Sequence, residues 1–308
     1  MFGTVLHQIL IMVMLMAVGF ICAKKHLISV EGNRVLSNIL LMVVNPLLIF
    51  TAFQIEKTEE TIRGLFTSLG MAAVIMAAAI VIAALVFRKD KSERGQINKF
   101  FSAYSNCGFI GIPLVYSMMG DDGVICLSGF IAIFNILVWT HGYVQMAGER
   151  NMRQLIKGIL SPTMIGIVAG IIFFFADIRV PELVYRTMTY LSDMNTPLAM
   201  LIAGASLAGA NFASTVKNRN VYLVTFLKLI LMPAIAILLM ALFRVDRMIA
   251  YAVIVAAACP SATTGVAFAL QLRKDYTYAS QLFVFTTVLS MVTIPLTVFI
   301  TEMTGFWP

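Results

Sequence analysis

Apolar residues in this chain do not alternate with polar ones as they would on a half-buried surface element. They come in unbroken runs of about 20, separated by short clusters of charge. A run of that length crosses roughly 30 Å of hydrocarbon as an α-helix. Reading the runs between charged breaks predicts ten helical segments, at about 4–23, 35–54, 62–87, 98–118, 122–146, 154–176, 183–209, 219–243, 247–270 and 277–302. The seventh is interrupted by Asp193 and Asn195. The first lacks a preceding basic residue and is followed by Lys24 and Lys25, the reverse of the charge order of a cleavable leader, and is read as a helix.

Composition agrees with this class. Hydrophobic residues make up 60% of the 308 positions and charged residues 12%, with a mean hydropathy of +0.92. A water-facing surface needs about twice that share of charge, so a single all-α membrane domain is expected, embedded in a lipid bilayer. The net charge of +7 then reports topology and not a nucleic-acid partner. Fifteen Lys and Arg residues fall in the odd-numbered connections and six in the even-numbered ones, with Lys228 left inside a segment. Positive charge is retained on the cytoplasmic side, so both termini are expected outside, in a multi-pass protein of the cytoplasmic membrane.

Ten segments divide into two halves of five, residues 1–148 and 149–308, and an odd number per half inverts the second relative to the first. Local sequence supports the division. The second segment reads VVNPLLIF at Val43–Phe50 and the seventh DMNTPLAML at Asp193–Leu201; each sets Asn just ahead of Pro, about 150 residues apart. The fourth reads SNCGFIGIPLVY at Ser105–Tyr116 and the ninth AACPSATTGVAF at Ala257–Phe268, again with Gly, small polar residues and Pro in corresponding places. Proline removes an N–H and clashes with the carbonyl one turn earlier. In lipid such a break survives only inside the protein or beside a water-filled cavity. Paired interruptions in the two halves of a transporter point to its binding site, and opposed helix N-termini there favour an anion.

At these residues the chain resembles the auxin efflux carrier family, which includes bacterial permeases and plant PIN-type carriers. The matching stretches are NPLLIF (45–50), NCGFIGIPL (106–114), LSDMNTPLAMLIAGASLA (191–208), FLKLILMP (226–233) and CPSATTGVAFAL (259–270). The resemblance implies the fold of sodium/proton antiporters and bile-acid symporters, in which helices 4 and 9 break and cross at their prolines, here Pro113 and Pro260. It also implies a transport domain moving against a scaffold of helices 1, 2, 6 and 7 that often dimerises, with a small organic acid as substrate. The long cytoplasmic loop of many plant members is missing at 210–218, which makes a bacterial permease the better match.

Candidate substrate-contacting residues are Asn106, Gly111, Pro113, Pro260, Ser261, Thr263, Thr264, Lys228, Asn45 and Asn195. In the plant carriers the Asn matching Asn106 helps to hold the substrate carboxylate. Asn106 could instead make an interhelical hydrogen bond, and Asn45 and Asn195 could simply stabilise breaks in the scaffold. Lys228 is the one ionisable residue deep in a segment, at a cost of about 3 kcal/mol at the bilayer centre, so a partner is required. It either donates to carbonyls freed at the crossover or pairs with the substrate. Asp193 could pair with Lys228, carry a proton, or sit at the interface in water. Cys22, Cys107, Cys126 and Cys259 lie apart in apolar stretches, and His7, His26 and His141 are scattered, so neither a metal site nor a cofactor is indicated. No His/Asp set or HExxH motif of a membrane enzyme is present. Only hydroxyls and amides (Asn135, Ser261, Thr263, Thr264, Thr286, Thr287, Ser290) are available to a hard cation. Proton-linked or uncoupled movement of an organic anion is therefore expected ahead of a sodium-coupled symporter or a channel.

Overall fold

The computed structural model describes residues 2–148, 156, 160–209 and 218–304. Fifteen α-helices account for most of them: α1 (Phe2–Lys24), α2 (Val30–Ile39), α3 (Asn45–Ala52), α4 (Glu59–Val86), α5 (Glu93–Ala103), α6 (Ile112–Leu137), α7 (Tyr143–Ala147), α8 (Pro162–Phe175), α9 (Glu182–Ser192), α10 (Asn195–Ala208), α11 (Arg219–Phe226), α12 (Met232–Leu242), α13 (Arg247–Ala258), α14 (Thr263–Gln271) and α15 (Tyr276–Met303). No strand occurs among the described residues; one antiparallel bridge, Ser105 opposite Ser261, stands alone. Six stretches are long and apolar enough to cross a membrane, and Pro162–Phe175 and Arg247–Ala258 are shorter apolar helices. The fourth and fifth apolar runs meet at Gly120 (φ 62°, ψ −151°), a conformation that leaves helical geometry and that a side chain would strain. The charged connection at 149–155 and the short loop at 210–217 lie outside the described residues.

Proline sets the local geometry of three segments. Before Pro46, Pro113 and Pro233 the helix widens into a single π turn, at Leu40–Val44, Cys107–Gly111 and Leu227–Leu231. Each proline lacks the N–H that would reach the carbonyl four residues back, and its ring crowds that carbonyl. The ladder slips by one residue to relieve this. Asn45, Ile112 and Met232 each donate their backbone N–H to the carbonyl five residues earlier, Leu40, Cys107 and Leu227. The chain thus stays helical but over-wide, a form found mostly as single turns and often at functional sites.

Two packing groups result. In one, α1 lies along α10, while α3 packs on α8 and α9. In the other, α6 packs on α4 and α13, α12 on α13, and α14 on α15. The first group closes through small residues. A Cβ on Gly204 would stand 1.9 Å from the Met16 carbonyl oxygen, and one on Gly19 would stand 2.3 Å from the Leu201 oxygen. The α1 and α10 backbones are therefore in direct contact, the usual way for helices to gain dispersion contacts in lipid. Gly204→Ala should force these helices apart and cost about 1–3 kcal/mol, lowering the melting temperature in a size-exclusion thermal assay. Gly70→Ala, at a site with nothing within 4 Å of the added carbon, should leave it unchanged.

Candidate functional site

The site forms where two chain segments stop being helical opposite one another. α5 ends at Ala103, and Tyr104 (φ −97°, ψ 127°) turns the chain extended until the π turn starts at Cys107. α13 ends at Ala258, and Cys259 (φ −57°, ψ 147°) is extended because the following proline excludes the helical region for its predecessor. The extended stretches run antiparallel and bond to each other. Asn106 N–H donates to the Pro260 carbonyl at 2.7 Å, and Ala262 N–H donates to the Tyr104 carbonyl at 3.0 Å.

Side chains take up the remaining freed groups. In a continuous helix Ser261 N–H would bond the Ala257 carbonyl. Here that N–H reaches Thr286 Oγ1 at 3.3 Å, and Lys228 Nζ donates to the Ala257 carbonyl at 3.0 Å. Lys228 Nζ also donates to Ser105 Oγ at 2.5 Å, and Ser261 Oγ donates to the Phe101 carbonyl at 2.7 Å. All of these groups are buried, Lys228 to 1% exposure. A bare backbone polar group at this depth costs several kcal/mol, so the crossing holds because each break satisfies the other and Lys228 completes the set. The π turn at Leu227–Leu231 presents Lys228 to it.

Asn106 and Thr263 face each other at the crossing, with Thr263 Oγ1 3.4 Å from Asn106 Oδ1. The Asn106 amide nitrogen has no acceptor among the described residues. Thr264 is half-buried, and its hydroxyl lacks a partner among the described residues. Gly111 packs against a thiol: a Cβ there would sit 3.3 Å from Cys259 Sγ.

The structure corrects two sequence expectations. Helix 4 does not open at Pro113, which lies in the first turn of α6; it opens upstream, at Tyr104–Asn106. Asp193 does not pair with Lys228; it is exposed in the turn between α9 and α10. Asn45 and Asn195 form a buried pair, Asn195 Nδ2 donating to Asn45 Oδ1 at 2.5 Å across 150 residues. They adjoin the crossing, since a Cβ on Gly108 would be 3.7 Å from Asn45 Nδ2. A cavity of about 60 Å³ opens beside them, lined by Leu48, Pro113, Tyr116, Asp193, Asn195 and Thr196 among others. Sequence reasoning missed Ser105 as the Lys228 acceptor, although it lies within the motif that carries Asn106. Among the described residues no group of His, Cys, Asp and Glu could hold a metal ion.

Comparison of the sequence with known proteins finds transporters. The family described as membrane transport protein matches residues 4–156 and 150–298. An uncharacterized transporter of Methanocaldococcus jannaschii is 25% identical over 65% of this chain and 68% of its own. A protein of Rhizobium meliloti whose name assigns it provisionally to malonate transport is 24% identical over 91% of this chain and 90% of its own. An uncharacterized transporter of Methanothermobacter thermautotrophicus is 22% identical over 94% and 96%.

Lys228→Met should leave the Ala257 carbonyl and Ser105 hydroxyl without their donor. The expected loss is about 1–3 kcal/mol per unsatisfied buried group, read as a lower melting temperature in detergent. Lys228→Arg should recover less than half of it, because the planar fork does not superimpose on a compact ammonium.

Proposed function

The chain belongs to the membrane transport protein family, the auxin efflux carriers, and on that premise we propose that it carries small organic anions such as carboxylates by alternating access. It is a multi-pass membrane transporter and not an enzyme. In our reading it spans the membrane ten times, as two inverted halves, residues 1–148 and 149–308. Six stretches rather than ten are long enough to cross because the fourth and fifth runs are joined in one, the sixth is described as a helix only over Pro162–Phe175, and the seventh and ninth are interrupted. The group around α4, α6 and α13 moves against the scaffold of α1, α3, α8 and α10, which pairs with a second copy in the cytoplasmic membrane.

The observation that carries the reading is the donor-rich crossing. Asn106 keeps an uncommitted amide nitrogen there, and Lys228 is the buried cation beneath it. The freed Ala257 carbonyl, an oxygen of the kind a cation would take, is held by the Lys228 ammonium. A second cation would meet that like charge at low dielectric, so this site suits a carboxylate better, and in our reading movement is proton-linked or uncoupled. The name of the Rhizobium relative makes malonate the first compound to try.

A thermal-shift screen of mono- and dicarboxylates on the purified protein, with sodium or choline as cation, tests this. An organic acid should stabilise the protein equally in both salts. Asn106→Ala should weaken its affinity about 10- to 100-fold, the worth of a hydrogen bond to a charged group. A response confined to amines or inorganic cations would overturn the anion reading, and a strict sodium requirement would move the assignment to a sodium-coupled symporter.

A further inference from the structure

Below the crossing, α5 carries a row of buried polar side chains that the site does not use. Asn98 and Ser102 are both 0% exposed, and Ser105, in the extended stretch just beyond the end of α5, is the acceptor for Lys228. Asn98 and Ser102 are four residues apart, so they share one helix face about 6 Å apart along the axis. That helix packs on α11, α15 and the Leu227–Leu231 turn, which brings Lys228 against the same wall. At the other end Tyr278, itself 1% exposed, donates its hydroxyl to Asn98 Oδ1 at 2.7 Å. Above Tyr278 lies the surface ion pair of Arg94 and Asp275, at 2.7 Å, with the guanidinium 4.9 Å from the Tyr278 ring centre.

Three groups in this row have bonding capacity to spare. Asn98 Nδ2 and Ser102 Oγ are buried without a protein partner among the described residues. Lys228 carries three N–H donors, and Ser105 and Ala257 account for two. Buried polar groups that no protein atom serves are served by water, and a site of about 10–15 Å³ holds one molecule. The titratable groups facing Lys228 are the thiols of Cys107 and Cys259; those around Tyr278 are Arg94, Asp275 and Asp90. No carboxylate therefore stands beside Lys228 among the described residues to take its proton.

We propose that Asn98 and Ser102 hold a short file of ordered water joining Lys228 to the Arg94 end of α5, and that this file is the route by which Lys228 exchanges protons and hydration with the cytoplasm. The inference rests on the crossing being the transport site only for its purpose; the file itself is a property of the chain without substrate. It gives the Lys228 ammonium an aqueous contact on one side of the crossing.

Methyl methanethiosulfonate, with modified residues mapped by mass spectrometry, tests it directly. Ser102→Cys and Asn98→Cys should react at least about tenfold faster than Ala103→Cys, which is likewise buried but lies off the Asn98–Ser102 row, because only hydrated thiols ionise and react. Buried Cys126 is the internal reference in each sample. Equal rates at 102 and 103 would overturn the proposal. On the unsubstituted protein, microsecond X-ray radiolysis should oxidise Tyr278 faster than Tyr104, whose buried hydroxyl is bonded to Leu137 O and His141 Nδ1. Ser102→Val should remove that difference. Equal labelling of the two tyrosines would also overturn it, with no bearing on carboxylate binding, which the Asn106→Ala experiment reads separately.

Discussion

Everything at the centre of this molecule depends on two interrupted helices satisfying each other's backbone. A break in the middle of an apolar bundle frees N–H and C=O groups that no solvent can reach, each costing several kcal/mol. Two breaks placed antiparallel cancel part of that cost, as the Asn106–Pro260 and Ala262–Tyr104 bonds do here. The remainder falls to side chains drawn from four separate segments: Lys228, Ser105, Ser261 and Thr286. None of these helps unless all the segments are docked together. The crossing is thus a unit, and a substitution at any of its members is felt at the others.

The prolines contribute at one remove. Pro233 is not in the crossing, yet the π turn it imposes carries Lys228, and Pro46 and Pro113 widen the turns beside Asn45 and Gly111 in the same way. A regular helix would place residue 228 about 100° per residue around the axis from its neighbours, and one extra residue in the turn rotates everything before it relative to everything after. Proline here is a device for aiming side chains inside the membrane, with only Pro260 acting as a breaker through its effect on Cys259.

This distinction marks the limit of what the sequence discloses. Apolar runs and charge clusters state the class of protein, and the spaced prolines point to the right neighbourhoods, because both are local signals. The position of the first break is different. Nothing local in Tyr104-Ser105-Asn106 forbids a helix; the chain opens there because the extended stretch at 260–262 is there to bond it, a contact across about 155 residues of sequence. The same reason hid Ser105 and the Asn98–Tyr278 bond, which join segments 123 and 180 residues apart. Asp193 misled in the other direction. Its carboxylate interrupts an apolar run and so suggests a buried partner, but the chain turns at that point and leaves it exposed. The Asn45–Asn195 pair was visible as two similar motifs, and only the packing of α3 on α9 made it one hydrogen bond.

The balance of donors and acceptors at the crossing bears on which ions can be held there. A carbonyl freed by a helix break is an oxygen ligand of the kind that a small cation takes. In this chain the Ala257 carbonyl is taken instead by Lys228, a positive charge tethered to the chain. The Ser261 and Thr286 hydroxyls are oriented by the backbone groups they bond. What remains is one tethered ammonium and an uncommitted amide nitrogen on Asn106, with two threonines beside it. A cation arriving there would meet a like charge at low dielectric, whereas a carboxylate would meet a donor and a counter-charge. The tethered Lys228 charge beside the uncommitted Asn106 amide is the physical ground on which we propose an anionic substrate.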